Sequence, residues 1–379
     1  VTGPVLVPTK VTSYSEYERV FGTTFVDVDP KESDKKVVRE FMTSIAAKNY
    51  FDQGGESILV IRVAEPKAFT CAKSAVYDNN DNTYVVDSET NLGFKLATLG
   101  EGDIFNSFSN DQYSGTTNNF KFEVTKNVDN SFNVIIRRGD DTDDDKIILE
   151  TWNNLSLNSN DSNYIAAVIG NQEIKYTNGE VETIGEFANK SAYVRVSEVT
   201  GTDSTIANLN FEKKICLFTE AKGTVGKAYS SDGAEVDNAK IGYFSEILKD
   251  TTYPQAVSPA QYEPAIDLLK NSDDYQFNTV IAPGLMLDMT EGKEQLVNLV
   301  NVCKERGDAI AVIDPCCYGT KEVNSVVNQG VNNSYGAAYW PWLQVYSSTG
   351  RLVWVPASVL MPGVYAYSDN LTAPWYAPA

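Results

Sequence analysis

The sequence contains no histidine, few cysteines and no long apolar run. Without histidine the chain cannot build a Ser-His-Asp or Cys-His arrangement, and it lacks the commonest general base and metal ligand. Its five cysteines have no CxxC spacing, so they indicate buried free thiols rather than a zinc site. We therefore predict that the chain is not an enzyme, that it has no catalytic residues and that it binds no cofactor.

Positive charge is also scarce, because 31 Lys and Arg stand against 51 Asp and Glu, for a net charge of −20. Such a balance repels DNA and anionic lipid headgroups. No apolar run reaches the roughly 18 residues of a membrane-spanning helix, and the first residues lack a signal-peptide pattern. The sequence thus predicts neither nucleic acid nor membrane as a partner. A chain of 379 residues, 42% of them hydrophobic, is long enough for two or three domains.

Helix and strand patterns alternate at both ends of the chain. The predicted elements are a helix ending at Gly22, a helix starting at Asp29-Pro30, strands at 57–63, 277–283 and 309–313, a helix starting at Ser258-Pro259 and a helix ending at Gly307. This order indicates an α/β domain with a largely parallel sheet. Because its strands lie in both parts, residues 1–64 plus 251–379 are predicted to form one discontinuous domain.

Residues 65–250 differ in composition from both ends. They are rich in Asn, Asp, Ser and Thr, and they contain short alternating runs at 120–124, 134–137, 147–152 and 192–196. These runs predict antiparallel strands joined by polar turns, best defined over about 92–198. The segment has 17 Lys and Arg against 30 Asp and Glu, or −13 of the total charge. We expect one or two inserted β-rich (α+β) domains that face solvent.

One acidic turn is a weak candidate for calcium. Asp140, Asp141, Asp143 and Asp145 offer the carboxylate oxygens that hard cations prefer. The turn lacks the glycine and terminal glutamate of an EF-hand loop, and it lies between two predicted strands. A solvated hairpin turn is therefore the favoured interpretation, and we predict no metal.

A second polar cluster follows a predicted parallel strand. Asp314, Cys316 and Cys317 lie where α/β enzymes place catalytic groups. A reactive thiolate needs a cationic neighbour, and the nearby sequence offers no histidine and few lysines. Packing is the favoured role for both cysteines, and a hydrolase centred on Asp314 is the least favoured hypothesis.

The last 45 residues are dense in Trp, Tyr and Pro. These rings alternate with Val, Leu, Ala and Pro, which favours packing and subunit contact over a sugar-binding platform. The residues predicted to form this contact surface are Tyr339, Trp340, Pro341, Trp342, Trp354, Pro356, Gly363, Tyr365, Asp369, Trp375 and Pro378.

Three blocks in this segment, 335–346, 354–369 and 374–379, resemble the contractile-tail sheath proteins of myophages and related contractile injection systems. Trp340, Ala357 and Pro362 depart from the family pattern, which more often has Tyr, Pro and Ala there. Weaker matches lie at 3–13, 150–169 and 191–196. The matching positions of the three blocks are Ala337, Ala338, Pro341, Trp342, Val355, Pro356, Ser358, Gly363, Tyr365, Ala366, Asp369, Trp375, Ala377, Pro378 and Ala379.

The resemblance implies a structural subunit that polymerises as stacked rings around a tail tube and contracts to drive the tube through the host envelope. Its partners would be other copies of itself, in a helical homo-oligomer of hexameric rings, and the tail tube, baseplate and tail terminator proteins. It would lie in the virion tail sheath after assembly in the host cytoplasm. We expect the family's N-terminal arm and C-terminal region to be missing from this sequence. The alternative is an acidic surface adhesion or carbohydrate-binding module.

Overall fold

The computed structural model describes residues 2–29, 32–78, 83–85, 92–105, 108–109, 112–113, 119–208, 213–219, 221–236, 241–321, 323–373 and 375–377. Within these residues the chain is a mixed α/β protein with one large antiparallel sheet and several small sheets, two of which are parallel. No helix in the described ranges is both long and apolar enough to cross a bilayer.

The N-terminal part contains short strands and two helices. They are β1 (Thr9–Val11), α1 (Tyr14–Phe21), β2 (Thr24–Asp29), β3 (Glu32–Glu40), α2 (Met42–Asp52) and β4 (Ile58–Val60). Helix α1 ends before Gly22 as predicted, and the side chain of Ser13 caps its start. The predicted strand at 57–63 is shorter than expected, and β4 pairs antiparallel with β1 rather than with the parallel sheet.

The predicted start of the second helix at Asp29-Pro30 is wrong. Residues 32–40 form β3 and pair with β2, where Val26 faces Val38, and α2 begins only at Met42. The backbone N–H of Met42 donates to Oε1 of Gln255 at 2.7 Å, 213 positions away in sequence. This distant side chain satisfies an N–H of the first helical turn, and local sequence gives no sign of it.

The middle of the chain forms the large antiparallel sheet. Its order is β12-β11-β10-β16-β5-β7-β15, with β6 paired to β5. The elements are β5 (Cys71–Asp78), β6 (Thr83–Val85), β7 (Phe94–Glu101), β8 (Phe108–Ser109), β9 (Gln112–Tyr113), β10 (Phe120–Lys126), β11 (Phe132–Arg138), β12 (Ile148–Leu155), α3 (Ile165–Ile169), β13 (Glu173–Thr177), β14 (Glu180–Ile184), β15 (Val194–Val199), α4 (Asp203–Ala207), β16 (Lys213–Thr219) and β17 (Ile241–Gly242). The four predicted runs correspond to β10, β11, β12 and β15. Helix α3 and Ile206 of α4 cover one face of this sheet and share its apolar core.

The C-terminal part contains the larger of the two parallel sheets, of order β19-β20-β21, and β18 pairs parallel with β17. The elements are β18 (Tyr253–Pro254), α5 (Glu263–Leu268), β19 (Thr279–Met286), α6 (Gly292–Arg306), β20 (Ile310–Asp314), α7 (Val323–Val327), β21 (Gly336–Ala338), β22 (Leu343–Tyr346), β23 (Leu352–Val355) and α8 (Met361–Leu371). Helices α5 and α6 pack on one face of the sheet, and α2 contacts α8. Helix α6 ends at Gly307 in the left-handed conformation, as predicted.

Candidate functional site

On the inner side of the C-terminal segment, residues 335–379, several aromatic rings are held in place by contacts with the rest of the fold. The indole Nε1 of Trp342 donates to the carbonyl of Cys316 at 2.9 Å. Tyr318 contacts both Trp342 and Trp354, with ring centroids 5.6 and 5.4 Å apart. Pro356 is buried directly after β23. These residues fix the segment against the carboxyl end of β20, so they pack the fold and leave little surface for a partner.

Helix α8 lies close against α2. A Cβ placed on Gly363 would overlap the side-chain oxygen of Asn49 and lie 3.2 Å from the Asn49 carbonyl oxygen. Glycine therefore permits this approach of the two helices. The hydroxyl groups of Tyr339 and Tyr365 share a 2.7 Å hydrogen bond that joins the end of β21 to α8. Both tyrosines are half-buried.

The outer side of the segment exposes its rings. Pro341 and Asp369 are also exposed there, whereas Pro378 lies outside the described residues. Within the described part of the chain, all the exposed aromatic side chains lie in this segment, and they are Trp340, Tyr346, Tyr367, Trp375 and Tyr376. The predicted contact residues therefore separate into an inner group that packs and an outer group that faces solvent.

The outer surface also carries almost no charge. Arg351 and Asp369 are the only charged residues from 335 to 379, although 22% of the whole chain is charged. On α8, the exposed residues Val364, Tyr367 and Leu371 recur at spacings of three and four and so lie along one helix face. An exposed apolar surface with few charges is typical of a protein interface. We call the exposed residues of 335–377 the C-terminal surface.

The acidic turn is not solvated throughout, which corrects the sequence-based interpretation of it. Asp141 is buried, and both of its carboxylate oxygens accept hydrogen bonds from Arg137, at 2.8 and 2.9 Å. Asp143 accepts from the same guanidinium at 2.9 Å, and Asp140 pairs with Arg138. Asp145 is exposed. The carboxylates that suggested calcium are thus directed mainly toward cations of the chain itself.

Arg137 is the centre of a buried ionic network. The residue has no exposed surface, and Glu123 on the neighbouring strand accepts from it at 2.8 Å. Lys121 pairs with Asp141 at 2.6 Å, and Lys146 pairs with Glu123 at 3.0 Å. Among the described residues, no group of three or more Asp, Glu, Cys or His side chains is arranged to hold a metal ion.

The network lowers the pKa of its carboxylates. Burial by itself would raise the pKa of Asp141, but hydrogen bonds from Arg137 and Lys121 outweigh it and place the pKa below the usual value. Burial likewise opposes ionisation of Glu123, and Lys146 and Lys213 overcome that effect. Both groups are therefore held as carboxylates in the folded protein.

Asp314 is buried at the end of β20, and burial raises its pKa to about 7. Its carboxyl oxygens accept hydrogen bonds from the backbone N–H and the hydroxyl of Ser358, which tie β20 to the turn before α8. Cys316 and Cys317 are buried, and burial raises the pKa of both thiols. Protonated thiols are poor nucleophiles, so the arrangement favours the packing role.

Sequence reasoning missed the polar side chains that join distant parts of the chain. Buried Glu40 accepts from the hydroxyl of Ser44 and from the backbone N–H of Ser348, both at 2.8 Å, and so holds the β22–β23 turn against α2. The alternating pattern predicts Arg137 only as part of a strand. Its position three residues before the acidic run that starts at Asp140 was the one available signal, because such a run can fold back onto its own strand.

No family model matches this chain, and a search of curated proteins found no match.

Proposed function

We propose that this chain is the structural subunit of a contractile tail sheath, which polymerises as stacked rings around a tail tube and contracts to drive the tube through a host envelope. The main support for this proposal is the C-terminal surface, which exposes aromatic side chains and has almost no charged residues. That composition suits a permanent contact between subunits. The motif resemblance of residues 335–379 to sheath proteins supplies the identity of the assembly.

The charge of the chain supports contact through this surface. Each copy carries a net charge of −20, so two copies repel each other through most of their surfaces. A surface that holds only Arg351 and Asp369 avoids this repulsion and gains free energy from burying its rings. Copies of the same chain can therefore meet through this surface with less repulsion than through the acidic parts of the molecule.

In this proposal, residues 1–64 and 251–379 form one discontinuous α/β domain that faces the tube, and residues 65–250 form the outer insertion. The contacts of α2 with α8, of Glu40 with Ser348 and of Met42 with Gln255 support the pairing of the two chain ends. The insertion carries −13 of the net charge, which suits a solvated exterior.

The proposed mechanism requires no covalent chemistry. Rings of subunits store free energy in their contacts, and a baseplate signal lets the lattice relax into a shorter and wider arrangement. The remaining partners would be the tube, baseplate and terminator proteins of a virion tail. The alternative is an acidic adhesion or carbohydrate-binding module built on residues 65–250, and none of the aromatic side chains that the structure describes in those residues is exposed.

Electron microscopy of the polypeptide isolated from its natural source tests the proposal. Striated hollow cylinders are the expected result. Replacing Tyr346 and Tyr367 with serine should abolish the cylinders, whereas Ile174→Ser, which alters an exposed residue of the insertion, should leave them intact. A protein that stays a single molecule under all conditions, or cylinders that survive loss of both tyrosines, would count against it.

A further inference from the structure

The large sheet meets the N-terminal part of the chain at the end of β7. Glu101, the last residue of β7, contacts that part through all three of its polar groups. Its backbone N–H donates to the carbonyl of Thr2 at 3.0 Å, and its carbonyl accepts from Arg62 at 3.4 Å. A carboxylate oxygen of Glu101 accepts from the backbone N–H of Val5 at 3.4 Å. One residue therefore attaches the large sheet to the segment that precedes β1.

Arg62 lies beside Glu101, but its guanidinium group is directed elsewhere. It donates to the carbonyl of Gly3 at 2.5 Å and lies over the ring of Phe69, 4.4 Å from the ring centroid. Among the described residues, the Glu101 carboxylate accepts only the long hydrogen bond from Val5 and forms no ion pair with a lysine or arginine. A negative charge on this half-buried carboxylate is therefore poorly compensated.

The other titratable groups beside Glu101 do not favour its charge either. Glu173 of β13 repels it, and Arg195 of β15 is already paired with Glu173 at 2.8 Å. Cys71 lies opposite Glu101 in the β5–β7 pair, and burial raises the pKa of its thiol to about 11. The thiol is therefore neutral near pH ~7 and offers no positive charge.

A second set of contacts holds the sheet in place without Glu101. The chain enters the sheet through residues 65–70 and leaves it through 221–226. The backbone N–H of Thr70 donates to the carbonyl of Lys222 at 3.2 Å, and the hydroxyl of Thr224 donates to the carboxylate of Asp103 at 2.6 Å. These contacts involve no residue of the N-terminal segment, so they persist when the Glu101 contacts open. Opening at Glu101 is thus a local event rather than unfolding of the chain.

The direction of the pH effect follows from these surroundings. Burial raises the pKa of Glu101 to about 7, and the attraction of Arg62 opposes this rise only in part. When the contact opens, water reaches the carboxyl group and its pKa returns to about 4.5. The contact is therefore at full strength below pH ~4.5, and it weakens as the pH rises toward 7 because only the open state releases the proton.

We propose that Glu101 makes the attachment of the large sheet to the N-terminal part of the chain pH-sensitive. The attachment is tight when the carboxyl group is protonated and loose when it is ionised. The chain can thus alter the freedom of its acidic middle part near neutral pH while both parts stay folded. This inference does not depend on the proposed sheath function.

Hydrogen exchange of the full chain, corrected for the intrinsic exchange rate at each pH, tests the inference. The informative amides are those of Val5 and Glu101, which bond across the contact. We expect their protection to fall by at least about tenfold between pH ~5 and pH ~8.5, because the open state becomes more populated. Amides of β10 and β11, which pair inside the large sheet, should keep their protection across the same range.

Two variants isolate the role of Glu101. Glu101→Gln retains a side-chain oxygen for Val5 but cannot ionise, so protection of the two amides should no longer depend on pH. Glu198→Gln is the matched control, because Glu198 is an exposed carboxylate of β15 that pairs with Lys95, and this variant should behave like the original chain. Asp314, which also titrates in this range, is unchanged in both variants, so its effect cancels in the comparison.

Protection of the Val5 and Glu101 amides that does not change with pH in the original chain would overturn the inference. An equal fall in Glu101→Gln would also overturn it, because another group would then be responsible. The same holds if Glu198→Gln abolishes the fall. A fall that extends equally to β10 and β11 would mean that the whole fold opens, and this result needs only the original chain, so it is informative even if Glu101→Gln does not fold.

Discussion

The large antiparallel sheet and the C-terminal surface treat polar and apolar groups in opposite ways. At the sheet, Arg137 of β11 and Asp141 of the turn that follows β11 are buried charged residues. On the C-terminal surface, Tyr346, Trp375 and Tyr376 are aromatic side chains left in solvent. Buried charges need partners fixed within the same chain, whereas exposed rings gain most from a partner outside it.

This contrast indicates which part of the molecule holds itself together and which part is built to contact others. Breaking the ionic network should affect folding strongly, because the remaining charges cannot reach water. Removing exposed rings should affect folding little and association greatly. The following experiments test this division, in order of decreasing effect on stability.

Arg137→Met is expected to have the largest effect. The change leaves Asp141 and Glu123 buried without their central cation, and loss of one partner of a buried pair costs about 3–5 kcal/mol. The free energy of unfolding, measured in urea, reports the loss. Arg138→Met is the matched control, because Arg138 is partly exposed and pairs with Asp140, so its loss should cost much less than that of the buried Arg137. Equal losses would show that the network has no special role.

The same network predicts sensitivity to acid. The pKa values of Asp141 and Glu123 are lower in the folded chain than in the unfolded chain, so their contribution is complete above pH ~5. It is lost as the pH falls through the ordinary carboxylate range and down to the lowered values. Urea unfolding from pH 7 to pH 3 should therefore show a steep loss of stability, and the loss should be shallower in Arg137→Met. Parallel curves for the two proteins would contradict this assignment.

Asp314→Asn should stabilise the chain at neutral and alkaline pH. Because burial raises the pKa of Asp314 to about 7, only the unfolded chain releases this proton between pH ~4 and pH ~7, and folding stability falls across that range. Asparagine retains groups for the two Ser358 contacts and has no proton to lose. We expect a gain of about 1–3 kcal/mol at pH 8 and almost none at pH 4. A gain that is the same at both values would exclude a role for titration.

Gly363→Ala should destabilise the contact between α8 and α2, although alanine is the better helix former. The added methyl group meets the side chain of Asn49, and overpacking costs about 1–3 kcal/mol. Thermal unfolding measures the cost. The double variant Asn49→Ala with Gly363→Ala restores space and should recover part of the stability. If Gly363→Ala alone were more stable than the original protein, the contact between α8 and α2 would not require glycine at this position.

Tyr346→Ser and Tyr367→Ser should change the free energy of unfolding least, by about 0.5 kcal/mol or less, because both rings are exposed. Their effect should appear in assembly, which sedimentation and electron microscopy measure. Trp342→Ser is the contrasting variant, because this ring is buried and its loss should unfold the segment. A large folding defect in either tyrosine variant would contradict the distinction between the inner residues that pack and the outer residues that face solvent.

Elements that local pattern specifies were predictable. The helix that ends at Gly22, the helix that ends at Gly307 and the strands at 120–126 and 132–138 depend on caps and on alternation within one element. The start of α2 was not predictable, because Gln255 and the pairing of β2 with β3 decide it. The buried state of Asp141 was missed for a similar reason, since the acidic turn folds back onto Arg137 instead of facing water.

Composition and local pattern are enough to give the alternation of helices and strands, the surplus of acidic charge, the lack of histidine and the concentration of aromatic residues in 335–379. Which of these rings are buried, and which charges are neutralised beside the large sheet, depends on how the chain folds. The difference lies in the distance along the chain over which each effect acts. Caps and periodicity act over a few residues, whereas burial and strand pairing depend on segments that meet from hundreds of positions apart.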